Sequence, residues 1–169
     1  PGGGKFPYLA YTKSQSKDLN GAVLPFTETW NETFDDWGNA TKITVKTSDG
    51  FTTWTNNTYT NDAPKWLLGR LTRATVTKRV GNGEDKTRTS AFAYNATTGL
   101  LTQEIVEPDQ PALRLVTDYV YDAYGNKTRA TVSGGDAIAG TAITARSTST
   151  TYDSKGRFPV TTTNALGHT

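Results

Sequence analysis

Residues 119–134 read "YVYDAYGNKTRATVSG". Leading into it, Leu115, Thr117, Tyr119 and Tyr121 share one face of an extended chain, while Val116, Asp118, Val120 and Asp122 share the other. Beyond it, Lys127, Arg129 and Thr131 alternate with Thr128, Ala130 and Val132. The period is two, so the stretch is strand, turn, strand. An Asp side chain bonds backbone N–H groups two residues on, Gly accepts positive φ, and Asn tolerates the left-handed region better than most residues. Tyr adds a large face to bury and a polar tip. The motif punctuates a hairpin and anchors it with an aromatic ring.

The unit recurs. "TFDDWGNATKITV" (33–45), "AYNATTGLLTQEI" (93–105) and "TYDSKGRFPVTTT" (151–163) align with "VYDAYGNKTRATV" (120–132). Each copy has an aromatic residue, Asp or Asn, a short spacer, Gly, and then a threonine-rich run with alternating apolar side chains. Tyr152 follows Tyr121 by 31 residues and Tyr121 follows Tyr94 by 27, whereas 60 separate Phe34 from Tyr94, which leaves room for one eroded copy. The four turns are Phe34, Asp35, Gly38 and Asn39; Tyr94, Asn95 and Gly99; Tyr121, Asp122, Gly125 and Asn126; and Tyr152, Asp153, Gly156 and Arg157. The tail "NALGHT" (164–169) begins a further turn. Asn-Gly pairs at 20–21 and 82–83 are hairpin signals, and the second joins the strands 70–80 and 86–94. A recurring unit at this spacing predicts an all-β chain of about ten sequential antiparallel strands. Residues 1–30 read as a lead-in and 31–169 as degenerate repeats, the whole as a piece of a larger repeat protein.

Composition agrees. Hydrophobic residues make up 34% and charged residues 20%, polar for a folded domain, yet Trp, Tyr, Phe, Val and Thr abound and suit a pleated surface. At 169 residues the chain is long enough to bury a sizeable core. With no cysteine there is no disulfide framework, thiolate metal site or cysteine nucleophile. A net charge of +2 is too weak to imply nucleic acid by itself. No apolar run is long enough for a membrane helix, and no cofactor is implied.

The Tyr-Asp-x-x-Gly-Asn and Tyr-Asp-x-x-Gly-Arg units at 121–126 and 152–157 resemble the YD repeats of Rhs proteins. That family includes bacterial polymorphic toxins, the B and C components of insecticidal toxin complexes, and the teneurin ectodomain. The stretch "YTNDAPKWLLGRLTRATVT" (59–77) is similar to the segment before the repeats in large bacterial members. The resemblance implies a β-ribbon wound as an arc of a spiral shell, with neighbouring repeats or identical subunits as partners and a toxin or effector as enclosed cargo. It implies a structural, non-enzymatic module, secreted or displayed at a bacterial cell surface. Phe34 and Asn95 depart from the Tyr and Asp of the pattern, and the self-cleaving aspartyl motif that closes such shells is absent.

Other residues invite functional readings. Trp37 and Tyr124 share one position inside repeat turns, and with Trp54 and Trp66 they are candidates for stacking on glycans, the basis of an alternative reading as an adhesive or fibre-forming module. Arg70, Arg73, Lys78, Arg79, Lys86 and Arg88 cluster around one turn and are candidates for polyanion binding, set against the simpler role of a solvated face that deters edge pairing. His168 is the only histidine and has no metal-ligand or triad partner in sequence. Asp118 and Asp122 lie about 13 Å apart along one strand face, too far for a glycosidase pair. "GGGK" (2–5) lacks the spacing of a phosphate loop, and "DDWGN" lacks the alternating oxygens of a calcium loop. Five Asn-x-Ser/Thr sequons, at Asn31, Asn39, Asn56, Asn95 and Asn126, follow from a composition rich in Asn and Thr.

Overall fold

A computed structural model describes residues 7–136 and 140–169. The glycine-rich start, residues 1–6, and residues 137–139 lie outside that description. The chain is all-β, with strands β1 (Tyr11–Ser14), β2 (Thr27–Phe34), β3 (Ala40–Thr47), β4 (Phe51–Asp62), β5 (Leu67–Val80), β6 (Lys86–Tyr94), β7 (Leu101–Val106), β8 (Leu115–Tyr121), β9 (Lys127–Gly134), β10 (Ile143–Tyr152) and β11 (Pro159–Thr163). One 3-10 turn, Pro111–Leu113, precedes β8. Strands follow one another in the sheet in chain order, each antiparallel to the next, as a recurring hairpin unit dictates. The expected fold class holds at this level.

The chain divides into two compact units, Pro1–Arg88 and Thr89–Thr169. In the first, one face carries a cross-strand row of Tyr11, Trp30, Thr44, Trp54 and Thr77. Thr44 is buried between the two tryptophans. Charged residues flank this row: Lys42 pairs with Glu32, Lys13 with Glu28, and the Arg79 guanidinium lies 5.2 Å from the Trp54 ring. In the second unit, Val116 sits between Ile105 of β7 and Ser133 of β9.

The length would allow a sizeable core, and the described residues form almost none. Among the described residues Val116 is the only buried hydrophobic side chain, with Thr44 and Thr89 the buried polar ones. Each strand packs mainly on its neighbours in the meander, so a side chain gains cover from adjacent strands and little from a second layer. Length alone sets how much surface a chain could bury, and a meander of hairpins leaves most of it half-covered.

Candidate functional site

The repeat turns are the most regular feature of the surface. At the first, the Asp35 N–H donates to the Asn39 carbonyl (3.0 Å) and the Gly38 N–H to the Asp35 carbonyl (3.1 Å). The Asp35 carboxylate accepts from the Trp37 and Asn39 N–H groups and from the Asn39 side-chain amide. The turn at 122–126 repeats this set, with Asp122 accepting from the Tyr124 and Asn126 N–H groups and the Asn126 amide. The turn at 164–168 also repeats the backbone bonds, with Asn164 in place of Asp accepting from Leu166 and His168. This places His168 as a turn residue whose ring meets the Asn164 amide. Asn95 accepts from Thr97 and Thr98 across a longer turn, and Asp153 from Arg157 and Phe158.

Several turns are also tied to a neighbouring one. The hydroxyl of Tyr121 donates to the Leu101 carbonyl (2.7 Å), and that of Tyr152 to the Lys127 carbonyl (3.3 Å). Both acceptors lie two residues beyond the glycine of the preceding turn. In the first unit the Tyr59 hydroxyl reaches Ala40, two beyond Gly38, in the same way (3.2 Å). Asparagine amides add links in both directions: the Asn126 amide donates forward to the Gly156 carbonyl (2.7 Å), and the Asn61 amide donates back to the Asp35 carboxylate (3.2 Å).

These bonds identify the eroded copy. Tyr59 is its anchor, Asn61, one residue later than the Asp of the motif, accepts from the Gly69 N–H (2.7 Å), and Gly69-Arg70 matches Gly156-Arg157. Gly69 and Gly156 share φ +65 and lie hard against the turn before, Gly69 at the Asn39 amide and Gly156 at the Tyr124 ring. The signal was present in the sequence as Tyr, Asn and Gly-Arg, but the stretched turn hid it. Trp30, too, carries no motif in the sequence; its place shows only when β1 and β3 are laid beside β2.

The carboxylates of Asp35 and Asp122 are held in the charged form. Burial alone would raise Asp35, but the Asn39 side chain and N–H, the Trp37 N–H and the Asn61 amide outweigh it and hold the carboxyl below its ordinary value. At Asp122 burial again opposes, and the Asn126, Tyr124 and Gly125 donors prevail. A depressed folded value adds stability above the unfolded value of about 3.9 and loses it as pH falls through the folded one. The double variant Asp35→Asn/Asp122→Asn should therefore melt below the native chain at pH 7, with the gap closing below about pH 4. Melting curves from pH 7 to pH 2 check this; a gap independent of pH would remove the charge from the account.

The other candidates separate. Asp118 accepts from the Gln103 amide (2.7 Å) and Asp122 caps its turn, so the two serve different local bonds. Of the aromatics, Trp54 lies within β4 under Arg79, whereas Trp37, Trp66 and Tyr124 sit in turns and are exposed, Trp66 by 76% and at φ +56. Among the basic residues Arg79 is engaged by Asp85 through two bonds (2.7 and 2.8 Å), and Lys86 pairs with Glu84 (2.9 Å). Lys78, Lys86 and Arg88 line one cavity of about 350 Å³ with Val76. No group of three or more His, Cys, Asp or Glu is placed to hold a metal among the described residues, and none of their helices is long and apolar enough to cross a membrane. Compared with known proteins, the chain matches no family model and no curated protein.

Proposed function

We propose that this chain is a wall segment of an Rhs-type YD-repeat shell, enclosing a toxin or effector and secreted or displayed at a bacterial surface. The observation that carries the reading is the set of turn-to-turn bonds, three from tyrosine hydroxyls and two from asparagine amides, which join successive turns through motif residues. A sheet built this way gains stability by adding repeats rather than by filling a core. The scarcity of buried side chains supports a part that depends on further repeats or subunits for cover. Function then rests on the assembly, and no side chain of the wall needs to do chemistry.

Electron microscopy of the native protein containing this chain is the test. Closed hollow particles, with contents shielded from protease until the shell is opened, are the expected result. Rods or fibres would overturn encapsulation. The exposure of Trp66 and Tyr124 favours a second reading in that event, an adhesive module that stacks glycans on its turn aromatics.

A further inference from the structure

We propose that the hairpin of β5 and β6 carries a binding site for sulfated polysaccharide, independent of whether the wall closes into a shell. The cavity of about 350 Å³ is lined by Lys78, Lys86 and Arg88, with Val76 as its apolar element. Alternation places them together: Val76 and Lys78 are two apart on β5, Lys86 and Arg88 two apart on β6. Lys78 and Val76 lie opposite Thr53 and Thr55, on the face that continues to Val45 and Ile43. Arg79 points to the other face, opposite Thr52, where Asp85 engages it.

The charge around the cavity is one-sided. Glu84 is the acidic residue bonded there, and it meets only Lys86, in an exposed pair. Two adjacent strands thus present three cations against one carboxylate, and like charges side by side on a sheet repel. An anion seated between them removes that repulsion and releases counterions, the usual source of polyanion affinity. The lining decides which polyanion. It includes no aromatic ring, so bases have no stacking platform of the kind that single-stranded nucleic acid sites provide. Lysine and arginine around an aliphatic patch suit sulfate esters on a saccharide, whose ring carbons rest on Val76 while the esters meet the cations.

The test uses the full chain and a size-defined heparin oligosaccharide as probe, titrated calorimetrically at several salt concentrations. Binding should weaken with salt. The double variant Lys78→Gln/Arg88→Gln should bind about ten-fold or more weakly, and its log-log salt slope should fall by about two. The charge-matched pair Lys13→Gln/Lys46→Gln, on the opposite face, should bind as the native chain does. Because the first pair relieves repulsion, it should also melt no lower than the native chain, and Lys86→Gln alone gives a second, milder variant. Absent binding, equal losses in both double variants, or tighter binding of duplex DNA or polyglutamate than of heparin would each overturn the proposal.

Discussion

Gly156→Ala is expected to destabilise the second unit by about 2–5 kcal/mol, while Gly125→Ala costs about 1–2 kcal/mol. Both glycines have positive φ, +65 and +85, so each alanine carries the same left-handed penalty. Their surroundings differ. A Cβ at Gly125 meets Leu100 Cδ1 at 3.9 Å, an ordinary contact, whereas one at Gly156 lies 2.6 Å from Tyr124 Cγ. The ring or the turn must move, and the Asn126 amide loses its aim at the Gly156 carbonyl. Urea unfolding of the two variants measures the difference. Tyr124→Ser should restore much of the loss in the Gly156→Ala background and change little by itself. Equal midpoints for the two alanine variants would mean that these turns do not touch in solution.

Val116→Asp is the second large effect. Val116 is 7% exposed and lies between Ile105 and Ser133, neither of which offers a cation. A carboxylate placed there is uncompensated and should cost about 3–5 kcal/mol. Val120→Asp is the matched control: Val120 is 42% exposed and sits opposite Arg129, which can meet the new charge. Its cost should stay within about 1 kcal/mol. Denaturant midpoints again give the measurement, and comparable losses at the two sites would show that the sheet buries Val116 no better than its exposed neighbour.

The hairpins were legible because their determinants are local. Asp35, Asp122 and the glycines after them define turns by bonds within five residues, and the side chains on either side alternate with a period of two. The tail at 164–168 was legible for the same reason. What lay beyond reading was whatever depends on a neighbouring hairpin. Tyr121 reads as a ring with a polar tip, but that the tip reaches the Leu101 carbonyl follows from the order of strands. The copy around Tyr59, Asn61 and Gly69 escaped because its turn is stretched and an amide does the work of a carboxylate. The extent of the core is hidden for a related reason: alternation marks two faces of a strand without saying what, if anything, covers either. The six basic residues read as one cluster, but strand alternation divides them, and Lys78 and Arg79 end on opposite faces.

The backward reach of the tyrosines also bears on how such a chain is made. The acceptor carbonyls of Ala40, Leu101 and Lys127 all precede, in the order of translation, the hydroxyls that bind them. A hairpin leaving the ribosome therefore finds its docking point already synthesised, and growth from the amino end can fold one turn at a time. Refolding from denaturant has no such schedule; every turn competes at once for the same kind of carbonyl, and hairpins of similar pattern can pair out of order.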